Sequence, residues 1–579
     1  MSGNDATFGP RLLLSRRRFV EGLAWAGCAG GALWHNPLRA ALPGAVPATL
    51  SGAQLELLIA PLAVNVTGRR RLATAVNGSM PGPSLRLQEG ETVTIKVTNH
   101  LAEPTSIHWH GVRLPSDQDG VPGLSFHGIP PGQSFSYRFP VRQGGTYWYH
   151  SHSGMQEQTG LAGALLLVPR AAEPYAYDRD YVVLLADWTD EDPMTVASNL
   201  KQQSDYYNFQ QRTLGTLAND IRRAGVKATL EDRLMWERMR MNPTDLMDVT
   251  GSTYTFLING QPPAANWTGL FAPGEKVRLR FINASAMTTF DVRIPGLPLT
   301  IVAADGNDVE PVAVEEFRIA PAETYDAIVA PPESVAYAIF AQAQDRSGFA
   351  RATLAPRDGM VAAVPPLDRP ALRTASDMGM SDMQGMAAMS MPGMAPMAMS
   401  AETSHAGGGE RQRLAASPFV DNVATHLQSR VGEAGAGLDG NGRHVLRYTD
   451  LKALTPDTDG HLPVRELEFH LTGNMERWVW GFDGRKFSEA APIHVALGER
   501  VRFVLINDTM MEHPLHLHGF LFSLENGHEG QLPLKHTVNV KPDERLSFIF
   551  TADTPGYWAF HCHLLYHMEA GMFRTVIVA

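Results

Sequence analysis

The sequence predicts an all-β protein built from three related β-sandwich domains. Three stretches of ten residues predict it: "GETVTIKVTN" (90–99), "GEKVRLRFIN" (274–283) and "GERVRFVLIN" (498–507) repeat one another. Each alternates apolar and polar residues over about eight positions, the pattern of a half-buried strand. The intervals between them, 184 and 224 residues, are too long for a solenoid unit and fit whole domains. Strand signals at short spacing, with loops rich in turn residues, complete the sandwich reading.

Along the chain, the first segment is not part of a sandwich. "SRRRFV" (15–20) precedes a Gly/Ala-rich apolar run, 22–33, and small residues follow near Ala40 and Ala48. A basic start, an apolar middle and a small-residue exit read as an export signal over 1–48. The run is too short to span a bilayer. Its paired arginines resemble a twin-arginine signal, which implies the Tat machinery as a partner, export in the folded state and a periplasmic location. Cys28 lies inside this segment and is expected to leave with it. Cys562 is then the one cysteine remaining, and a lone thiol in an oxidising compartment forms no internal disulfide. It is buried and inert, catalytic, or bound to metal.

Domain 1 is expected over 50–170 and domain 2 over 178–357. An insertion at 198–241 ("LEDRLMWERMR" within it) has helical character. Residues 358–440 are poor in aromatics and rich in Ala, Gly, Pro and Met, the composition of a flexible linker. Domain 3 follows over 441–579. The signal carries five arginines against two acids, so its removal takes the net charge from −11 to −14. That balance excludes nucleic acid as a partner class.

The histidines follow the repeat. His108 lies nine residues after Asn99, and His516 nine after Asn507, so "HWH" (His108, His110) matches "HLH" (His516, His518). "GTYWYHSH" and "GYWAFHCH" match in turn, pairing His150 and His152 with His561 and His563. Domain 2 has no histidine at either place, read as "TTFDVRI" and "AETYDAIVA". In a strand, residues i and i+2 share a face. Four HxH pairs in matched positions of two domains therefore predict eight imidazoles in one nest, a donor set for several transition-metal ions.

Cys562, between His561 and His563, faces the other way on that strand. It cannot join their site, but it can hold a second one, linked to the first by a single residue. His513 precedes "HLH", and His567 and Met572 follow the cysteine. Two His, one Cys and a weak axial Met make the ligand set of a blue copper electron-transfer centre. At the four matching places domain 1 has Thr105, Ser151, Gln156 and Leu161, which predicts one such centre, in domain 3.

The motifs "HWHG", "HSH", "HPLHLHG" and "HCHLLYHMEAGM" closely resemble those of the multicopper oxidases. The resemblance implies three cupredoxin-like Greek-key domains and four coppers per chain: one type 1, one type 2 and a type 3 pair. It puts type 1 copper on His513, Cys562, His567 and Met572, and type 2 on His108 and His516. The type 3 pair falls to His110, His150, His152, His518, His561 and His563. Electrons then enter at type 1, pass through Cys562, and reduce O2 to water at the other three ions. "MRMNPTDLMDVTG" (239–251), the export signal and the Met-rich linker resemble the bacterial copper-resistance subgroup.

Reducing O2 also consumes protons. Asp119, in "SDQDGVPG", matches an acid that sits behind the type 2 ligands in this family; a turn role before Gly120 is the plain alternative. Some relatives carry an acid where this chain has Tyr566. "MGMSDMQGMAAMSMPGMAPMAM" (378–399) holds nine methionines: Met378, Met380, Met383, Met386, Met389, Met391, Met394, Met397 and Met399. Thioethers are soft and select Cu(I), so Cu(I) capture is expected there. The reading that follows is an exported oxidase turning Cu(I) into Cu(II) with O2 as acceptor, expected as a monomer. A general phenol-oxidising laccase and a copper-sequestering binding protein are the alternatives.

Overall fold

The computed structural model describes residues 47–579 except 240, 375–376, 378–412, 415–416, 425–426, 457–458 and 460. The export segment through residue 46 and all nine methionines of the 378–399 stretch lie outside the described residues.

The all-β expectation is borne out, with six sheets in three facing pairs. In each pair the repeated stretch forms an inner strand: Thr92–Asn99, Val277–Asn283 and Arg500–Asn507. Each runs parallel to one neighbour and antiparallel to the other. The first strand buries alternate residues, as its pattern predicts. The second is buried at every position. Its outward arginines are paired rather than solvated: Arg280 donates to Oγ1 of Thr146 of domain 1 at 2.8 Å and pairs with Asp180, while Arg278 pairs with Asp326 of its own domain. Wedging domain 2 against domain 1 removes the solvent face that the alternation implied.

The asparagine ending each repeat is fully buried and makes one contact pattern three times. Its side-chain amide donates to two carbonyls: Glu103 and Ile129 from Asn99, Thr288 and Ile319 from Asn283, Met511 and Val540 from Asn507. Buried amide groups must be paired, so this residue fixes how the chain leaves the first sheet for the second. In domains 1 and 3 the chain then enters the HxH strand.

Helices cover the insertion in domain 2. Pro193–Gln202 begins five residues earlier than expected, with Asp192 capping the amides of Met194 and Thr195. It buries Val196 and Leu200, whereas Leu214–Ala224 buries nothing. No described helix is long and apolar enough to cross a membrane. The expectation of a flexible linker over 358–440 does not hold for its described flanks. Leu414, Ala424, Val431 and Leu438 are buried there, and Arg373 and Arg430 pair with Glu512 and Asp377.

The second histidine-free place in domain 2 also needs correcting. "AETYDAIVA" lies in Thr324–Val329, which pairs with the repeat strand in the first sheet. The partner of Phe290–Arg293 is Tyr337–Ala343, which has no histidine either. Alternation alone fits both sheets, so it could not assign the segment.

Candidate metal centres

In domain 1 the strand His108–His110 pairs antiparallel with Gly145–His150, setting His108 opposite His150. In domain 3 the strand His513–Leu517 pairs the same way with Gly556–Cys562, setting His516 opposite His561 and Leu515 opposite Cys562. Strand geometry ends earlier than the i, i+2 argument assumed: His152, His518 and His563 lie just past their strands. The rings still converge.

The two domains bring all eight HxH histidines together. His108 stacks on His518 with centroids 3.8 Å apart, and His110 stacks on His516 at 3.7 Å. Nε2 of His561 is 3.0 Å from Nε2 of His518 and 3.4 Å from Nε2 of His152. His150 and His110 meet His563 at 5.1 and 5.0 Å between centroids. Only His152 among them is not fully buried. It also lines a cavity of about 400 Å³ walled by Leu124, Phe487, Met568 and Phe573 together with Lys486 and Glu569, an approach of mixed polarity from the surface.

The outer contacts fix the tautomers. Nδ1 faces a carbonyl oxygen, which can only accept, in His108 (Asp119, 2.8 Å), His150 (Ser151, 3.0 Å), His516 (His536, 2.6 Å) and His561 (Cys562, 2.9 Å). Those rings donate from Nδ1 and turn the Nε2 lone pair inward. His110 is reversed, with Nε2 against Oγ1 of Thr537 at 3.2 Å. The inward nitrogens of His108, His110, His150 and His516 have no hydrogen-bond partner, nor does either nitrogen of His563. Burial, and next the neighbouring imidazoles, hold His110, His516 and His518 far below the usual histidine range, and burial pushes His561 down to about 4. Neutral, buried, unpaired imidazole lone pairs aimed at one space are costly in a protein without metal. They fit copper, a borderline ion that takes imidazole well.

Two acids stand behind this nest. Asp119 Oδ2 is 2.8 Å from Nδ1 of His518, and its Oδ1 is 3.3 Å from Nδ1 of His108. Glu157, which the sequence did not single out, puts Oε2 2.7 Å from Nδ1 of His150. Carboxylates in this position orient a ligand ring and raise its basicity.

The second centre lies one residue away. Sγ of Cys562 is 3.5 Å from Nδ1 of His513 and 3.9 Å from Nδ1 of His567, and those two nitrogens are 3.2 Å apart. Met572 is fully buried, and its carbonyl accepts the amide of Cys562 at 3.1 Å. Nε2 of His513 meets Oγ1 of Thr509 at 2.7 Å, and Nε2 of His567 meets Oδ2 of Asp248 at 2.9 Å. Both rings therefore turn Nδ1 toward the sulfur. Trp480 stacks on His567 at 3.9 Å. Burial pushes the Cys562 thiol up, so without metal it is an inert thiol; thiolate forms on metal binding. Asp248 and Trp480 were not legible as site residues, although Asp248 lies inside the quoted "MRMNPTDLMDVTG". Tyr566 is buried beside these groups, its amide 3.5 Å from Sδ of Met287.

Comparison with known proteins returns three models, each described as multicopper oxidase, matching residues 59–172, 179–359 and 462–579. Copper resistance protein A of Escherichia coli is 52% identical over 98% of this chain and 99% of its own length. Copper resistance protein A of Pseudomonas syringae pv. tomato is 52% identical over 97% and 99%. Among solved structures, Fet3p, a multicopper oxidase that functions in iron import, superposes with a TM-score of 0.63 at 18% identity, over 91% of this chain and 90% of that one. The laccase of Botrytis aclada gives 0.61 at 20%, over 92% and 88%.

Proposed function

This chain belongs to the multicopper oxidase family, and from that premise we propose that it is an exported Cu(I) oxidase of copper resistance. A multicopper oxidase takes electrons from a reducing substrate and gives them to O2. The proposal assigns Cu(I) as that substrate. It assigns four resident ions as well: type 1 on His513, Cys562, His567 and Met572, type 2 on His108 and His516, and the type 3 pair on His110, His150, His152, His518, His561 and His563. Copper held there supplies the one-electron redox steps and the reduction of O2.

The rest falls to the chain. Cys562 joins the two centres: its sulfur belongs to the His513–His567 group, and its peptide neighbours are His561 and His563 of the nest. That adjacency is the observation that carries the proposal, because storing copper needs no such wire. Asp119 and Glu157 hold His518 and His150 in the tautomers that face inward. The cavity ending on His152, about 400 Å³, has room for a small molecule such as O2.

A buried electron acceptor favours a small cationic donor over a bulky phenol. His567 is 0% exposed, capped by the Asp248 carboxylate and covered by Trp480. Cu(I) capture by the nine methionines of 378–399 and twin-arginine export belong to the same reading. Deleting 378–399 should lower Cu(I) oxidation and cellular copper tolerance; unchanged values would remove the methionines from the proposal.

The direct test is O2 uptake by the copper-loaded full chain, with Cu(I) and with a bulky phenol as donors. About four coppers per chain, an intense thiolate band near 600 nm and faster Cu(I) turnover are expected. Colourless, metallated protein that leaves O2 untouched ends the proposal, and a phenol turned over as well as Cu(I) returns it to a general laccase.

A further inference from the structure

We infer that Thr537 is a positioning residue of the nest: its hydroxyl holds the His110 ring with Nδ1, rather than Nε2, turned toward the type 3 pair. The inference rests on the proposed copper occupancy. Thr537 opens the strand Thr537–Val540 and lies opposite His516 of the strand His513–Leu517. It is fully buried. Oγ1 stands 3.2 Å from Nε2 of His110, 427 residues away in the chain, and 3.0 Å from Nδ1 of His536. Nδ1 of His516 is also near, at 3.4 Å, but it donates to the closer carbonyl of His536 at 2.6 Å.

The His110 ring is backed differently from its neighbours. A carbonyl or a carboxylate stands behind Nδ1 of His108, His150, His516, His518 and His561. Such oxygens only accept, so the proton stays on Nδ1 and Nε2 faces the metal. Among the described residues, the hydrogen-bond partner of the His110 ring is the Thr537 hydroxyl, and it meets Nε2. Nδ1 of His110 is buried with no partner. A hydroxyl oxygen accepts through its lone pairs, and Nε2–H donating to Oγ1 leaves the Nδ1 lone pair pointing inward. Donation the other way would put the proton on Nδ1, with no acceptor to take it and no lone pair for copper.

The hydroxyl is itself placed from domain 2, which supplies none of the proposed ligands. Oδ2 of Asp305 accepts the backbone amides of His536 and Thr537, each at 3.1 Å, and pairs with buried Lys535 at 3.1 Å. Oδ1 of the same carboxylate accepts the amide of Thr324 at 3.0 Å, which ties it back to its own domain. Asp305 thus fixes the start of the Thr537–Val540 strand, and that start puts Oγ1 against His110 of domain 1. Partners outside the ligand set are what orient a ligand ring and fix its tautomer.

The test compares Thr537→Val, which keeps the shape and removes the hydroxyl, with Thr537→Ser, which keeps the hydroxyl. In the copper-loaded full chain, Thr537→Val should lose copper from the nest to a chelator about 10-fold faster or more. A coupled type 3 pair is silent in electron paramagnetic resonance, so a pair that has lost one ion should add a signal. The blue band should be unchanged, and Thr537→Ser should keep the wild-type rate and spectrum. A blue Thr537→Val with wild-type rate and spectrum overturns the inference, as does a Thr537→Ser impaired to the same degree as Thr537→Val. Should Thr537→Val lack the blue band through misfolding, the metal-free full chain decides. Nuclear magnetic resonance of isotope-labelled histidine nitrogens, with the His110 signal assigned by its loss in His110→Gln, supports the inference if the proton is on Nε2 and overturns it if the proton is on Nδ1. Either failure in a blue, O2-consuming wild type sinks this inference alone, whereas wild type with neither property sinks the oxidase reading and the inference with it.

Discussion

Domains 1 and 3 build the same corner and fill it differently. In domain 3 the amide of Cys562 donates to the carbonyl of Met572 at 3.1 Å, and the amide of Met572 to that of His567 at 3.0 Å. In domain 1 the amide of Ser151 donates to Leu161 at 3.2 Å, and that of Leu161 to Gln156 at 3.0 Å. The side chains then diverge. His513, Cys562 and His567 gather donor atoms that only a metal can satisfy together. Thr105, Ser151 and Gln156 satisfy one another: both hydroxyls donate to Oε1 of Gln156, at 2.6 and 2.9 Å. The backbone is therefore indifferent to the metal. Three side chains decide whether the corner is a redox centre or a closed polar plug, which is function grafted on a fold.

The largest effect expected follows from making domain 3 more like domain 1. Cys562→Ser removes the thiolate that domain 1 never had. The blue band and O2 uptake should both vanish, while the nest keeps its histidines and most of its copper. Metal analysis beside the absorption spectrum reads this out. A variant that still consumes O2 with Cu(I) would show that the sulfur is not the route.

Next in size is Asp248→Asn. Both corners have a carboxylate behind them, but in domain 1 Glu103 accepts from the neutral amide of Gln156 at 3.1 Å, whereas in domain 3 Asp248 stands 2.9 Å from Nε2 of a titratable ring, His567. Removing that charge lowers the basicity of the ring, and partners of this kind are worth about 10–100-fold in affinity or activity. kcat/KM for Cu(I) should fall by that factor with the blue band retained. Unchanged kinetics would make Asp248 a packing residue.

What the sequence made legible in these corners, and what it hid, follows from separation along the chain. The repeats carry strand period and corner asparagine within ten residues, so three domains could be read directly. The HxH pairs are local too, and the structure brings their rings together even where the strand stops short at His150 and Cys562. Asp248 meets His567 across 319 residues, and nothing near either announces it. Glu157 and Thr537 carry no motif, and a single acid or hydroxyl has no period to read. The described flanks of 358–440 misled for another reason. Their composition is that of a linker, but Arg373 and Arg430 enter the interior by pairing with acids, and buried charge leaves no hydrophobic signal.

A third variant acts on the plug. Gln156→Ala removes the acceptor shared by Thr105 and Ser151, and also the amide that donates to the carbonyl of Pro104 at 2.8 Å. Buried hydroxyls without partners cost about 1–3 kcal/mol. Chemical denaturation should show a loss of that size, with four coppers and turnover unchanged. Loss of copper instead would mean that the plug supports the nest as well as closing its own corner.

The smallest effect belongs to the rim where the two domains meet. Arg113 of domain 1 pairs with Asp553 of domain 3, and both side chains are about two-fifths exposed. Water and salt screen such a pair, which is worth about 0–1 kcal/mol. The interface already holds eight interlocked imidazoles and the bonds between Ser116 and Tyr557. Arg113→Ala should therefore leave copper content and kinetics at wild-type values and shift stability by less than about 1 kcal/mol. Metal bridging domains 1 and 3 would dominate the same interface, since a ligand that binds only the folded state stabilises it by mass action. Comparing Arg113→Ala in apo and copper-loaded protein separates the two contributions: with copper affinity unchanged, the metal raises wild type and variant equally and the small loss should be the same in both states. A loss larger in the loaded protein would mean that the rim, rather than the histidine nest, holds the domains in register.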